Sequence, residues 1–226
     1  SRGLGDVYKR QVKYLLNHKV LDVRVSDDSA VVVAECPDGV KRLQSAAIVL
    51  ASGFNSPLAK KCGFGTSSFF TTGVQAEVES LNIDEIEIYF NQKLAPGFFA
   101  WSVPISDHKA MIGLMSRTTP GLLLKKWLTE LSAAGRIREN EYPLQYCGIP
   151  LKPLRKTYAD RIVLVGDAAG QTKPTTGGGI YFGMLCSDMA AETLHNAIIN
   201  DDLTSRRLSE YQKKWQRKLK SELDIQ

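Results

Sequence analysis

The chain has 226 residues, 43% of them hydrophobic and 23% charged, an ordinary globular composition with enough apolar material for one large domain or two small ones. No run approaches the roughly 18 apolar residues of a membrane span, and no charged-then-apolar leader opens the chain, so a cytoplasmic location is expected. The net charge of +5 is carried by the ends, +2 in residues 1–11 and +4 in residues 205–226; the middle, at −1, has no electrostatic footprint for nucleic acid.

The opening SRGLGDVYKRQ has no periodicity, resembles translated adaptor read-through, and is set apart from the fold as a non-native segment, residues 1–11. Val12 to His18 reads as the end of a helix. Val20 to Val25 and Ala30 to Glu35 read as strands, and Cys36-Pro37-Asp38-Gly39 supplies a hairpin turn into Val40 to Leu43. Ala46 to Ala51 is a continuous apolar run ending in Ser52-Gly53, which predicts a buried strand entering a tight, ligand-facing turn.

Phe70 to Glu79, Glu85 to Asn91, Phe98 to Pro104 and Ala110 to Ser116 then read as four strands of an antiparallel sheet. Pro120 to Ala134 has a helical pattern with Thr119 as cap, and Arg161 to Val165 is a short buried strand. A glycine-rich loop comes next, then a helix from about Gly178 to Asn196. Cys36, Cys62, Cys147 and Cys186 form no CxxC pair, and His18, His108 and His195 are isolated. Neither a disulfide framework nor a metal site is expected.

Ile162 to Gly170 (IVLVGDAAG) places Gly166 and Asp167 at the carboxyl end of a strand, where ligands sit in open α/β sheets. An ionised Asp accepts hydroxyl protons, as from a sugar or ribityl chain, and Gly166, Ala168, Ala169 and Gly170 permit close approach. Pro174 to Ile180 (PTTGGGI) leads directly into a helix. Bare N–H groups there would stabilise an anion, such as the N1 and C2-carbonyl edge of a reduced flavin. Three glycines just inside a helix reduce its propensity and point to a ligand that needs the space. Gly166 to Gly179 is therefore read as a segment that holds FAD.

GDAAGQTKPTTGGGIYFGMLCSDMAAETL resembles the FAD motif of the geranylgeranyl reductase family, flavoproteins similar in fold to aromatic hydroxylases of the p-hydroxybenzoate type. The resemblance implies that Asp167 contacts the ribityl or pyrophosphate region, with Gly177, Gly178, Gly179 and Ile180 near the isoalloxazine ring; Gly53, Gly166, Ala168, Gly170 and Pro174 complete the implied FAD set. Pro96 to Pro104 (PGFFAWSVP) is similar to the family's PxxYxWxFP substrate-cavity motif, with Phe98, Phe99 and Trp101 as implied apolar wall. Tyr146-Cys147-Gly148-Ile149-Pro150 falls where a glycine-then-IP segment is expected. Phe99 stands for the motif's Tyr and so lacks a hydroxyl, Val103 stands for Phe, and Ala51 to Ser56 (ASGFNS) has Ser52 where the family's ADGANS turn has Asp.

The resemblance further implies an α/β protein in which a partial FAD-binding Rossmann-like domain (residues 12–65 and 151–200) is interleaved with an antiparallel substrate domain (66–150). The implied reaction is hydride delivery from flavin to an isoprenoid C=C of a prenyl lipid or prenyl diphosphate, with NAD(P)H or another reductant as electron donor. A pyrophosphate-cradling GxGxxG is absent, since no strand precedes Gly3-Leu4-Gly5, so a fragment lacking the N-terminal dinucleotide-binding unit is expected. Leu208, Tyr211, Trp215, Leu219 and Leu223 form one stripe of a basic helix over residues 201–226. Packing of that stripe on the body is favoured over peripheral contact with an anionic membrane. An aromatic-ring monooxygenase of the same fold and a non-catalytic lipid-binding module are the alternatives.

Overall fold

The computed structural model describes residues 12–223; the segment read as non-native lies outside the described residues. β1 (Lys19–Val25), β2 (Ala30–Cys36) and β3 (Gly39–Ser45) form an antiparallel meander whose second turn places Gly39 at φ +113°. Residues 12–18 are not a helix end. They are irregular chain with a turn at Leu16–Asn17, exposed except for the half-buried His18; with so little burial among the described residues, a short helix cannot offset the cost of nucleation.

β4 (Ile48–Leu50) runs parallel to β11 (Ile162–Leu164), with Ile48 opposite Ile162 and Leu50 opposite Leu164; β10 (Tyr158–Ala159) closes the other edge of β11. The two parallel strands therefore end side by side, and the loops leaving them, Ala51 onward and Val165 onward, share one edge. Between β4 and the next sheet lies α1 (Pro57–Lys61), capped by the Ser56 hydroxyl, which accepts from Leu58 N at 3.2 Å.

The second sheet has five antiparallel strands: β5 (Phe70–Glu79), β6 (Glu87–Tyr89), β7 (Ala100–Ser106), β8 (Lys109–Ser116) and β9 (Gln145–Pro150), in the order β6-β7-β8-β5-β9. The four expected strands are joined by β9, which pairs with β5 from Phe70–Pro150 to Gln75–Gln145. α2 (Pro120–Ala133) covers one face, burying Leu124, Trp127, Leu128 and Leu131 against Val74, Ala76, Ile112 and Leu114. Thr119 holds the cap position at φ +45° but caps through its backbone carbonyl rather than its hydroxyl. That left-handed backbone carries no side-chain cap bond.

The edge strand β6 is pinned by charge. Arg136 Nη2 donates to both Glu87 oxygens, at 2.9 and 3.0 Å, and the Tyr89 hydroxyl donates to the same carboxylate. The Tyr89 hydroxyl first, and the Arg136 guanidinium after it, hold the Glu87 carboxyl below the usual range. Its contribution to stability is thus full above the unfolded carboxylate range and lost as pH falls through the depressed folded value. Glu87→Gln is expected to cost about 1 kcal/mol at neutral pH, the partial exposure of the pair limiting the effect. In acid that difference disappears, a contrast read from urea unfolding at the two pH values.

α3 (Ile180–Ile199) and α4 (Ser205–Leu223) pack together over β11. Leu208, Tyr211, Trp215, Leu219 and Leu223 are all buried, against Val163, Val165, Phe182, Cys186 and Ala190. The apolar stripe of α4 thus faces the core, as the packed-helix reading requires. Among the described residues no helix is long and apolar enough to cross a membrane.

Candidate functional site

Where β4 and β11 end together, their loops and the start of α3 enclose a cleft of 580 Å³ lined by Ala51, Gly53, Val165, Gly166, Asp167, Gly179, Ile180 and Met184, among others. Gly53 and Gly166 both adopt left-handed backbone, at φ +77° and +64°, and a Cβ on either would meet no atom within 4 Å. Their lack of side chains is therefore explained by conformation and by the open space they border. Gly179 is different. A Cβ there would sit 2.7 Å from Asp167 Oδ1 and 3.0 Å from Thr172 Cγ2, so glycine is needed for the Asp167 carboxylate to lie against the start of α3.

Asp167 belongs to a single 3₁₀ turn, Gly166–Ala168, and is partly buried. Burial pushes its carboxyl above the usual carboxylate range, and no protein donor enters as an opposing cause. The start of α3 has no side-chain cap, which leaves its first-turn N–H groups without a side-chain acceptor. An acceptor carboxylate, two open glycines and uncapped helical N–H groups thus meet in one cleft. Such a set suits a ligand with both hydroxyls and an anionic edge, and the FAD inferred from sequence fits it.

The remaining glycines divide the site. Gly177 (φ +67°) rests on the antiparallel sheet, where a Cβ would lie 3.0 Å from Met115 Sδ and 3.3 Å from Ile149 Cγ2. Gly177 and Gly178, together with Gly179 and Ile180, line a second cavity of 690 Å³ that reaches Lys218 and Glu222 of α4. Ala168, Gly170 and Pro174 are buried and outside the lining of the first cleft. Gly170 is pressed against the chain itself, since a Cβ would fall 2.5 Å from the Lys152 carbonyl oxygen.

The aromatic wall is on the sheet. Trp101 lies over Gly113, where a Cβ would be 2.3 Å from the indole ring. Phe99 is 6.0 Å from Trp101 and 6.1 Å from Phe90, centroid to centroid, so the three rings form a row. Met115 N donates to the Phe99 carbonyl at 3.2 Å, and Met115 in turn touches Gly177. Phe99 is thereby linked to the glycine turn through Met115, and Trp101 adjoins Phe99. Phe98 precedes β7 in a turn closed by its N–H to Ala95 O at 3.0 Å and is not part of the ring row.

Sequence reasoning missed the residues that hold the loop. Gln171 is fully buried: its Oε1 accepts from Gly166 N at 2.9 Å, and its Nε2 donates to the Tyr211 hydroxyl at 2.8 Å. Tyr211 then donates to Leu164 O at 2.7 Å. Thr172 donates to Pro150 O, tying the same loop to the end of β9. Phe54 lies on Gly148, where a Cβ would be 2.2 Å from its ring, and so locks the turn after β4 to the sheet. A polar Gln inside a glycine-rich loop was the one visible signal, since its partner is 40 residues away.

No protein-family model matches the chain. Digeranylgeranylglycerophospholipid reductase 2 of Methanothermobacter thermautotrophicus is 32% identical over 204 residues, which cover 85% of this chain and 52% of that protein. The chain spans about half the length of the curated relatives it matches. Among solved structures, a geranylgeranyl bacteriochlorophyll reductase-like protein of Thermoplasma acidophilum superposes with a TM-score of 0.78 at 18% identity, over 91% of this chain and 55% of the other. A flavin-dependent halogenase gives 0.69 at 16% identity, over 95% and 42%. Those two likenesses are of fold, which reductase-like and halogenating proteins share, whereas the sequence relatives carry the narrower assignment. In sequence the chain is similar to geranylgeranyl-type reductases over about half of their length, the stretch that carries the motifs named above.

Proposed function

We propose that this chain works within an FAD-dependent reductase that saturates isoprenoid C=C bonds, of geranylgeranyl type, in a prenyl lipid or prenyl diphosphate. The observation that carries the reading is the cleft in which Gly53, Gly166, Gly179 and the partly buried Asp167 meet the uncapped start of α3. When bound there, FAD supplies the hydride, drawn in turn from NAD(P)H or another reductant. Asp167 would accept hydrogen bonds from hydroxyls of the ribityl region, and the N–H groups from Ile180 onward would stabilise negative charge on the reduced ring. Phe99 and Trp101, with Phe98 at the entry to β7, exclude water from the apolar chain beside Gly177. Because Phe99 has no hydroxyl, the proton that completes the reduction comes from another group.

In this reading residues 12–65 and 151–200 serve the cofactor, residues 66–150 the substrate, and α4 (Ser205–Leu223) braces the cofactor loop through Tyr211. A cytoplasmic enzyme would meet a lipid substrate through the basic, outward face of α4.

Two experiments test the proposal. The intact enzyme should be yellow and, on anaerobic reduction, should add two hydrogens per double bond to a geranylgeranyl compound by mass spectrometry; a Trp101→Ala enzyme with unchanged turnover would remove the wall from the mechanism. Asp167→Asn should weaken FAD by about tenfold or more, the value of one hydrogen bond to a charged group. The same change should stabilise the flavin-free protein at neutral pH. Since the folded pKa of Asp167 is raised, its favourable contribution exists only below the unfolded value and is lost as pH rises through the folded one. Asn carries no such penalty, so melting temperatures of the two proteins should converge in acid.

A further inference from the structure

At one end of the five-stranded sheet three chain segments meet: Phe69 immediately precedes β5, Arg117 immediately follows β8, and Lys152 lies two residues beyond β9. The Arg117 guanidinium carbon is 4.6 Å from the Phe69 ring centroid, and the Lys152 ammonium is 4.8 Å from it. The two charges are therefore at most about 9 Å apart, and both side chains are exposed, so their mutual repulsion is largely screened while both remain available to one anion. Among the described residues neither is in an ion pair, although nine such pairs neutralise other charges of the molecule. One half-buried ring thus holds two exposed cations, neither paired with a carboxylate among the described residues, an arrangement open to an anion from solution.

Its position gives the site a purpose. Along β8, Gly113 lies under Trp101, Met115 adjoins Phe99 and Gly177, and Arg117 comes next at the strand's end. From Gly113 to Arg117 the strand advances about 13 Å. On the other side, the Lys152 carbonyl is packed against Gly170 of the glycine-rich loop. An apolar row thus ends in a doubly cationic plate beside the cofactor loop, which is the outline of an amphiphile with an anionic head.

We propose that Arg117 and Lys152, held over Phe69, bind the phosphate-bearing head of the isoprenoid substrate while its apolar chain lies along Met115, Phe99 and Trp101. Arg117 offers two parallel N–H donors to a phosphate, and Lys152 a compact charge. The identity of the chain rests on the prenyl-reductase reading above; the anion site rests on the cation geometry alone.

The test uses the intact, FAD-loaded enzyme with geranylgeranyl diphosphate and with geranylgeraniol, which has the same chain and no phosphate. In the Arg117→Ala/Lys152→Ala double variant the KM for the diphosphate should rise about tenfold or more, the effect expected when charge-assisted bonds are lost. The KM for the alcohol should stay within about twofold and kcat for both should hold, which also shows that the variant is folded. Equal change for the two compounds, or none for either, overturns the proposal. Lost sedimentation with anionic phospholipid vesicles beside an unchanged diphosphate KM would assign the cations to a membrane surface and overturn it too. Should the wild-type enzyme reduce neither compound, the prenyl-diphosphate form of the reductase reading fails and the prenyl-lipid form is tested with a digeranylgeranyl phospholipid; calorimetric titration with inorganic diphosphate then decides the anion site by itself, heat with wild type only supporting it and equal or absent heats refuting it.

Discussion

Replacing Gly170 by alanine will cost the fold about 2–5 kcal/mol, from left-handed backbone strain and from overlap that rigid neighbours cannot relieve. Gly170 has φ +73°, and a Cβ would stand 2.5 Å from the Lys152 carbonyl oxygen and 2.7 Å from Pro153 Cα, both backbone atoms. The segment they belong to is fixed, since Leu154 N donates to Ala169 O at 3.0 Å and the Thr172 hydroxyl to Pro150 O. The loss would be a large share of the roughly 5–15 kcal/mol that hold a domain together. Gly166→Ala is the informative control. Its φ is +64° with open space around the added methyl, so only about 1 kcal/mol of strain is expected. Because Gly166 borders the cleft and Gly170 does not, Gly166→Ala should weaken flavin binding more than it weakens the fold, and Gly170→Ala the reverse. Urea midpoints and flavin titrations of the two variants separate the roles; equal midpoints would refute the backbone argument.

The same pair shows what could be read from the residues alone. GDAAG announces a tight turn after a buried strand, and AAIVLA and IVLV announce the two parallel strands, because continuous apolar runs have few other places to go. Nothing local distinguishes a glycine that faces a ligand from one that faces Lys152, since that depends on a segment whose position is set by tertiary pairing. β9 was hidden for a related reason. Its residues do not alternate, because Cys147 is exposed at the sheet edge and Gly148 is bare to receive Phe54 from the turn after β4. α1 is only five residues, yet Ser56-Pro57 carried a readable start signal. The helix expected over residues 12–18 failed in the opposite sense: the residues suit a helix but are left largely exposed among the described residues. Leu208 to Leu223 succeeded because a five-residue stripe at helical spacing in an otherwise basic segment needs a core to bury it.

Tyr211→Phe will cost about 2–4 kcal/mol and will reduce flavin affinity although residue 211 does not line the first cleft. The hydroxyl accepts from Gln171 Nε2 at 2.8 Å and donates to Leu164 O at 2.7 Å, and Gln171 Oε1 in turn receives Gly166 N at 2.9 Å. Tyr211 and Gln171 are both fully buried, so removing one oxygen leaves an amide N–H and a carbonyl without water to replace it. Burial also pushes the hydroxyl far above the ordinary phenol range, so it stays protonated, and the cost should not vary with pH near neutrality. Trp215→Phe separates the loop effect from the general packing of α4. Trp215 Nε1 donates to Thr157 Oγ1 at 3.1 Å, a buried bond of similar kind that touches no residue of the glycine loop. Both variants should lower the urea midpoint, but only Tyr211→Phe should lower flavin affinity beyond what its stability loss accounts for. In a double-mutant cycle, Tyr211→Phe and Gln171→Met should be clearly less than additive, since each breaks the same link between α4 and the turn that carries Asp167. Full additivity would mean that the helix and the turn act independently, and that the buried chain from Tyr211 to Gly166 does not position the cleft.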